Sequence, residues 1–401
     1  MNDTTAVRHS AASETLTGGL VTLFAFCCGA IVANLYYAQP IVELIAPDIG
    51  LSAHAASFIV SLTQIGYALG LLLLVPLADL FENRKLMIGT ALIAGAGLLA
   101  AGLSTQPSVF LGLSLLIGFS SVSVQMLIPL AAHLAPEASR GRVVGNIMGG
   151  LLLGILLARP VSSLVADYFG WRTVFIGAAI VMLVIIVLMA LTIPKRQPTH
   201  KASYMSLMAS LVTLLQKQPV LRQRALYQGL MFASFSLFWT AAPIELMRHY
   251  GLSQSQIAIF ALVGAIGAFA APIAGRLADA GHTRRASTAA MIIAGGAFLI
   301  GWSGPAYSVI GLALTGVLLD FACQMNMVLG QRAVYALDAN SRARLNALYM
   351  TTIFIGGAIG SAIASPLYES AGWQGVVIAG AALPLIALLI FVFKEYGRSK
   401  A

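Results

Sequence analysis

Apolar residues form a series of long runs along this chain, and each run is separated from the next by a short polar segment. A helix needs about 20 apolar residues to cross a bilayer, and these runs reach that length without the alternation of barrel strands. The pattern therefore predicts twelve membrane-spanning helices. They are placed at residues 20–45, 55–78, 86–104, 108–132, 142–166, 172–193, 224–247, 256–278, 286–304, 307–331, 342–368 and 374–394.

The composition agrees with an all-α integral membrane protein. Of the 401 residues, 59% are hydrophobic and only 9% are charged, whereas a soluble domain carries about 25% charged residues. The three cysteines (Cys27, Cys28 and Cys323) lie within apolar runs and lack metal-ligand spacing. We therefore expect buried thiols, no metal site and no cofactor.

The basic residues predict how the chain is oriented in the membrane. Of 23 Lys and Arg residues, 20 lie in the segments that are cytoplasmic if the N-terminus is inside. Arg172 and Arg248 lie in the opposite loops, and Arg159 lies within a span. Since Lys and Arg accumulate in cytoplasmic loops, both termini are predicted to be cytoplasmic. The net charge of +9 therefore reflects topology and does not indicate nucleic-acid binding.

The longest polar segment divides the chain into two groups of six helices. The predicted organisation is a first bundle at 1–193, a linker at 194–222 and a second bundle at 223–401. Within the linker, the segment YMSLMASLVTLLQK (Tyr204–Lys217) has apolar residues at helical spacing. It is predicted to be an amphipathic helix, which lies either on the inner membrane surface or against the protein itself.

The two groups repeat each other at an offset of about 200 residues. PLADLFENRK (76–85) returns as GRLADAGHTRR (275–285), and SRGRVVG (139–145) returns as SRARLNA (341–347). FGWR (169–172) returns as AGWQ (371–374). A duplicated six-helix unit allows two bundles to rock about a midplane site and expose it to one side at a time, so the repeat indicates transport.

These motifs resemble those of the major facilitator superfamily over nearly the whole chain. The family signature between helices two and three is Gly-x-Leu-Ala-Asp-Arg-x-Gly-Arg-Lys/Arg, and the second copy is similar to it from Gly275 to Arg285. The first copy departs from it at Val75, Leu80 and Glu82. The segment NLYYAQP (34–40) adds a resemblance to bacterial proton-coupled efflux carriers of drugs or metabolites. The resemblance implies a fold of two pseudo-symmetric bundles with twelve helices.

An aspartate at the end of one helix can close a gate by facing the positive N-terminus of a helix in the other bundle. By repeat symmetry, Asp79 is expected to face the start of helix eleven, near 342–346. Asp279 is expected to face the start of helix five, near 141–145. The basic residues of these two motif pairs complete the predicted gate: Arg84, Arg142, Arg284, Arg285 and Arg344. The alternative is a solvated turn whose charges only set the topology.

Four ionisable residues lie within the spans away from the inner loops: Glu43, Arg159, Glu245 and Asp320. At 1.5 Å per residue, Asp320 lies roughly 20 Å from the outer end of helix ten, near the bilayer centre. A charge there costs about 3 kcal/mol and is tolerated chiefly at functional sites. We predict that Asp320 binds and releases protons; a structural aspartate, bonded to Gln324 or to a helix break, is the alternative.

Arg159 lies about 10 Å from the outer end of helix five and cannot lose its charge. By depth, Glu43 is its best predicted partner, and Asp320 is within reach if helices five and ten approach. Asp320, Arg159 and Glu43 are together the predicted proton-coupling residues. Three roles stay open for Arg159: a structural ion pair, proton coupling, or contact with an anionic substrate. Gly145 and Gly154 fit the spacing of the family's exporter pattern, which ends here in Ala158-Arg159-Pro160 instead of Gly-Pro. Together with Gly149 they also fit a close helix–helix seam.

The resemblance implies that helices one, four, seven and ten line the transport path. The predicted substrate-binding residues on these helices are Asn34, Tyr37, Gln39, Gln125, Phe235, Trp239, Gln324 and Asn326. Aromatic faces with a few amides and one acidic group suit a small amphipathic or cationic solute. Aromatic residues are also common at membrane interfaces, which is the plainer interpretation of Tyr37 and Trp239.

The predicted function is secondary active transport by alternating access, as proton-coupled efflux of a small organic molecule across a bacterial cytoplasmic membrane. Uptake of a metabolite is the second hypothesis, and a membrane sensor without flux is the third. The chain has no P-loop for ATP and no enzyme motif, so we predict that it is not an enzyme. We expect a monomer whose partners are a small-molecule substrate, protons and the bilayer.

Overall fold

A computed structural model describes residues 18–197, 203–302, 308–338 and 341–397. Over these ranges the regular structure is helical, as the apolar runs predict, and it fits twelve membrane spans. In chain order the spans are Gly18–Ala33 continued by Gln39–Ile41 and Val42–Asp48; Ala53–Asp79; Asn83–Leu103; Pro107–Leu134; Arg140–Phe169; Trp171–Thr192; Pro219–Arg248; Gln254–Val263 continued by Gly264–Phe269 and Ala270–Asp279; Thr283–Ile300; Val309–Tyr335; and Arg342–Gly397, which Gly372 divides into spans 11 and 12.

Spans 1 and 8 contain the longest interruptions near their middles, and span 4 contains a shorter one at Ser121–Ser123. Span 1 leaves α-helical geometry after Ala33 and resumes through a short 3₁₀ turn that contains Pro40, whose ring nitrogen has no hydrogen to donate. Span 8 passes through the 3₁₀ segment Gly264–Phe269. Non-helical backbone is tolerated at membrane depth only where protein or a water-filled cavity surrounds it. We therefore infer that both breaks lie in the protein interior.

The internal repeat is visible in the backbone. Gly50 and Gly251 end equivalent turns with φ of 74° and 64°, and Gly170 and Gly372 separate equivalent helices with φ of 84° and 63°. Such left-handed conformations strongly favour glycine. Spans 1–6 pack mainly against one another, as do spans 7–12, so we refer to them as the first and the second half.

Equivalent glycine seams join spans 1 and 5 in the first half and spans 7 and 11 in the second. A Cβ added to Gly154 would lie 2.1 Å from the carbonyl oxygen of Gly29, and one added to Gly356 would lie 2.2 Å from that of Gly229. Of the predicted seam residues, Gly154 is confirmed, whereas Gly145 and Gly149 face open space. The contact instead runs through Gly150, because that residue shares a helix face with Gly154.

The linker helix spans Tyr204–Lys217, the segment with the amphipathic pattern. Ser203 caps it by accepting a hydrogen bond from the backbone of Ser206. One face packs on the protein through the buried Leu211, and the hydroxyl of Tyr204 donates to the backbone oxygen of Leu73 (3.1 Å). Met205 on another face is 73% exposed. The helix therefore contacts the protein while leaving apolar surface free.

Span 7 begins at Pro219, five residues earlier than predicted, because proline fits the first turn of a helix. The earlier start carries Arg224 into the bundle, where it is 8% exposed and donates to Ser287 (2.9 Å). Arg224 is one of the 20 basic residues that the sequence analysis assigned to the cytoplasmic segments, and its assignment to a loop is wrong because it lies within the helix. The asymmetry of the remaining basic residues is large enough to leave the predicted orientation unchanged.

The two halves meet along spans 2 and 11 and along spans 5 and 8. We call the end of the molecule that holds the linker helix the linker end, and the opposite end the far end. Ser57 and Ser365 exchange reciprocal hydrogen bonds of 3.1 and 3.2 Å across the first contact. Asp167 accepts a hydrogen bond from Ser255 across the second. Both contacts hold the halves together at the far end.

The seam generates a matched test. We expect Gly154→Ala to destabilise the protein by more than about 2 kcal/mol, because its methyl group has no room beside the backbone of Gly29. Gly149→Ala should be neutral or stabilising by up to about 1 kcal/mol, since alanine is the better helix former and nothing obstructs it. Thermal unfolding of the two variants in detergent measures the difference. Equal melting temperatures would contradict the packing described here.

Candidate transport site between the two halves

Arg159 lies buried where the two halves meet. Its side chain is 5% exposed, and its Nε donates to the Oε1 of Gln39 (2.7 Å). Three aromatic rings surround the guanidinium, with centroids 4.9 Å away for Tyr36, 5.3 Å for Phe235 and 4.9 Å for Trp239. Each such contact contributes roughly 0.5 to 2 kcal/mol, so together they offset much of the cost of a buried charge.

The guanidinium of Arg159 is nevertheless incompletely satisfied. In the described part of the chain, no carboxylate lies within ion-pair distance and the Nη2 atom has no hydrogen-bond partner. A guanidinium has five N–H groups to satisfy. Arg159 therefore retains donor capacity at the boundary between the halves.

Asp320 provides the opposite charge from the second half. It is 7% exposed, and its Oδ1 accepts a hydrogen bond from the indole nitrogen of Trp239 (2.6 Å). Trp239 thus contacts both charged groups, one through its N–H and the other through its ring. Arg159 and Asp320 also interact electrostatically. Their attraction acts between the halves, because Arg159 is on span 5 and Asp320 is on span 10.

The break in span 8 makes room for Asp320. A Cβ on Gly267 would lie 2.4 Å from the Cβ of Asp320, and one on Gly264 would lie 2.6 Å from the Trp239 ring. Only glycine permits these approaches without displacement. The irregular backbone of span 8 therefore holds the carboxyl and the indole in their places.

A series of hydrogen-bonded polar side chains connects Arg159 to the second half. Gln39 accepts from Arg159 and donates to the hydroxyl of Thr240 (3.1 Å). Thr240 contacts Ser361 (3.3 Å), which donates to Ser236 (3.2 Å). Gln64 on span 2 also donates to Ser236 (2.7 Å), which returns the chain to the first half. Most of these polar groups satisfy one another where lipid and water are excluded, and among the described residues the Oε1 atom of Gln64 is left without a hydrogen-bond partner.

The predicted pairing of Arg159 with Glu43 is wrong. Glu43 lies in the short helix beyond the break in span 1, and its carboxylate accepts from Arg248 of span 7 at 2.6 and 3.0 Å. The comparison of depths assumed that helix one is unbroken. The break carries Glu43 to the far end, and Gln39 occupies the position beside Arg159.

The predicted substrate-binding residues separate into groups. Gln39, Phe235 and Trp239 meet at Arg159. Asn34 donates to Ser121 (3.4 Å) within the first half, and Asn326 donates to Gln228 (2.7 Å) within the second. These two amides therefore stabilise the interior of their own bundles. The side chains of Tyr37 and Gln324 are partly buried, and Gln125 donates to the hydroxyl of Tyr67 (3.2 Å).

A cavity of about 220 Å³ lies at the linker end between the two halves. Asp79 and Gln125 line it from the first half, Arg344 lines it from the start of span 11, and Leu211 lines it from the linker helix. The predicted neighbours Asp79 and Arg344 thus border one space. Because the halves are joined at the far end and separated by a cavity here, this conformation opens towards the linker end.

The other predicted gate contact is not formed. Asp279 pairs with Arg332 of its own half (2.5 Å) and does not face the start of span 5. Arg84 also bonds within its half, to the carbonyls of Ala190 and Ile193 (3.2 and 3.3 Å). Arg142 and Arg285 are exposed, and Arg284 is partly buried. The sequence repeat identifies equivalent positions in the two halves. It does not indicate which of two arrangements of the halves is populated.

Sequence reasoning placed Tyr36 and Thr240 on the helices that line the transport path but did not include them among the predicted substrate-binding residues. It missed the contacts of Arg248 at the far end. Arg248 was interpreted only as a loop charge. Its helix ends at Arg248, one residue beyond the predicted span, and the pattern of apolar residues carries no information about the partners of a charge at that position.

Two repeated six-helix bundles with buried charges between them are typical of a membrane transporter. The sequence profile of the Major Facilitator Superfamily matches residues 21–230 and 224–401. The chain belongs to this superfamily and is a membrane transporter, as the motifs between spans 2 and 3 and spans 8 and 9 predicted.

Among its relatives, the putative uncharacterized transporter YgaY of Escherichia coli is 40% identical over 387 residues, which cover 96% of this chain and 98% of that one. A chloramphenicol resistance protein of Streptomyces lividans is 24% identical to this chain. The alignment covers 86% of this chain and 88% of that protein. The crystal structure of the nucleoside transporter NupG has the same fold, with a TM-score of 0.72, 16% identity, and coverage of 93% of this chain and 99% of that chain.

The electrostatic contact across the halves can be measured with a double-mutant cycle. We expect Arg159→Gln and Asp320→Asn each to destabilise the protein, and the double variant to lose less than the sum by roughly 1 to 3 kcal/mol. Arg224→Gln is the matched control, because Arg224 is also a buried arginine but bonds Ser287. Its effect should add to that of Asp320→Asn within about 0.5 kcal/mol. Additivity in both cycles would mean that the two charges do not interact.

Proposed function

We propose that the protein is a proton-coupled carrier that exports small organic molecules by exchange for protons. One observation carries the proposal: the carboxyl group of Asp320 is buried between the halves and attracts Arg159 without contacting it. A proton on Asp320 would remove its negative charge and with it the attraction. Proton binding would therefore change the relative stability of the joined and separated arrangements of the two halves.

The substrate class follows from the side chains near the boundary. We propose that Gln39, Phe235 and Trp239 bind substrate, with Gln125 contacting it at the linker-end cavity. The aromatic faces would bind an apolar body, and the amides would orient a polar group. Tyr37 and Gln324 are proposed to contribute as the halves move. The name of the Streptomyces lividans relative adds support for drug efflux, although it describes that protein alone.

We propose that the linker end and both termini face the cytoplasm of a bacterial inner membrane. An impermeant thiol reagent added to whole cells should then label Ser52→Cys at the far end and leave Ala343→Cys unlabelled. Both positions are exposed, and the three native cysteines are buried, so background labelling should be low. After the cells are made permeable, both variants should react. The reverse pattern in intact cells would overturn the orientation.

The function itself is tested by flux in inverted membrane vesicles under an imposed pH gradient, with a panel of amphipathic cations, neutral drugs and organic anions. We expect wild-type protein to accumulate cations or neutral compounds. In the Asp320→Asn variant, substrate accumulation driven by the proton gradient should fall by at least about tenfold, because the asparagine side chain does not bind and release a proton. It should still exchange substrate between the two sides when no gradient is present, because alternating access does not itself require the proton.

Asp48→Asn is the control for removal of a carboxylate, since Asp48 pairs with Arg172 inside the first half. It should accumulate substrate like the wild type. Proton-driven accumulation that survives in Asp320→Asn would refute the role of Asp320. Accumulation only when the gradient is reversed would favour uptake, and the absence of flux for the whole panel would favour a sensor.

A further inference from the structure

The linker helix, Tyr204–Lys217, has one strip of apolar side chains that the protein covers. Leu207, Leu211 and Leu214 recur at the intervals of a helix face, and all three are buried or partly buried. Leu207 and Leu211 line the linker-end cavity together with residues from spans 2, 4 and 11. This strip therefore forms part of the cavity wall.

A second apolar strip on the same helix is uncovered. Met205, Val212 and Leu215 are 73%, 55% and 39% exposed. At 3.6 residues per turn the two strips are neighbours, and together they occupy about half of the helix circumference. The other half carries exposed polar residues such as Ser206 and Thr213. A continuous apolar strip bordered by polar residues marks an interaction surface.

The helix crosses the cleft between spans 2 and 11 at the linker end. Towards the middle of the molecule these spans pack against each other through Tyr67 and Phe354, whose ring centroids are 4.6 Å apart. Nearer the linker end the cavity separates them, with Asp79 lining it from span 2 and Arg344 from span 11. The linker helix contacts both the end of span 2 and span 11, so it covers this side of the cavity.

The membrane adjoins the uncovered strip. Span 2 carries the exposed apolar residues Ile65, Leu69 and Leu73 along one face, and the hydroxyl of Tyr204 donates to the backbone oxygen of Leu73 (3.1 Å). The helix is thus attached where the lipid-facing surface of span 2 ends, and tyrosine is common at that depth. Between residues 194 and 223 the sequence has five Lys or Arg residues and no acidic residue, which favours an anionic lipid surface.

We propose that the linker helix docks on the anionic leaflet at the linker end, with Met205, Val212 and Leu215 in the lipid interface. In this position it seals the cleft between spans 2 and 11 against lipid. One apolar strip then faces the cavity, the other faces acyl chains, and the polar half faces water. Without this seal, lipid chains would reach the cavity between the halves. The docking depends neither on proton coupling nor on the identity of the substrate.

Docking is tested on the full-length protein in nanodiscs of phosphatidylcholine and phosphatidylglycerol, with a bimane fluorophore on Val212→Cys or Thr213→Cys. Brominated phosphatidylcholine quenches a fluorophore in lipid, and iodide quenches one in water. The three native cysteines are buried, so background labelling should be low. We expect brominated lipid to quench severalfold more strongly at Val212→Cys than at Thr213→Cys, and iodide to show the reverse. Leu183→Cys, at an exposed apolar position of span 6, is the reference for full lipid contact.

Two results would overturn the docking. One is equal quenching by brominated lipid at the two positions. The other is protection of Val212→Cys from both quenchers, because a second copy or another protein would then cover the strip. Discs without phosphatidylglycerol should weaken lipid quenching at Val212→Cys, since each basic side chain near an anionic surface changes binding by about fivefold. No change in such discs would refute the preference for anionic lipid.

The seal is tested with the fluorophore on Ala343→Cys, which lines the cavity from span 11. In this parent we expect quenching by iodide but not by brominated lipid. Val212→Asp places a charge in the docking strip and should raise quenching by brominated lipid severalfold. Thr213→Asp adds the same charge on the water-facing side and should leave it unchanged; both positions are exposed, so neither change disturbs the packing. Strong lipid quenching in the parent, or equal quenching in the two variants, would overturn the seal.

Discussion

The structure depends on one constraint, which is that a guanidinium group keeps its charge inside a membrane protein. Arg159 cannot be neutralised, and lipid offers it neither counter-charge nor hydrogen-bond acceptor. The protein meets this need with three ring faces, the amide of Gln39 and the field of Asp320. Those groups come from spans 1, 7 and 10, so the requirement of one side chain brings both halves together at one point.

The rest of the fold provides positions for those groups. The break in span 1 places Gln39 beside Arg159, and the 3₁₀ segment of span 8 leaves space for Asp320. The glycine seams bring spans 1 and 5, and equally spans 7 and 11, to backbone contact. Because this packing is tight within each half, the halves can move as units while polar contacts form and break between them.

Polar contacts between the halves are distributed unevenly along the molecule. Pairs such as Ser57 with Ser365 and Glu43 with Arg248 close the far end, whereas a cavity bordered by Asp79 and Arg344 separates the halves at the linker end. Hydrogen bonds and ion pairs of this kind can be exchanged at modest cost, because their groups find water when the halves separate. A small apolar cluster of Val42, Val60 and Ile244 also joins the halves at the far end, and separating it would expose apolar surface to water.

The twelve spans, the repeat and the family could all be predicted from the sequence. Runs of apolar residues must be buried in lipid, and a charge within such a run must lie inside the protein, so Arg159 and Asp320 were identifiable as buried charges. The partners of the charged residues became apparent only from the packing of the spans. Glu43 was assigned to Arg159 by depth along a straight helix, but the break in span 1 moves it to Arg248. Asp279 was assigned across the halves by symmetry, but it pairs with Arg332 because the halves are separate at that end. Periodicity reports which face of a helix is buried, whereas pairing depends on helix breaks and on the position of the two halves, which no local pattern encodes.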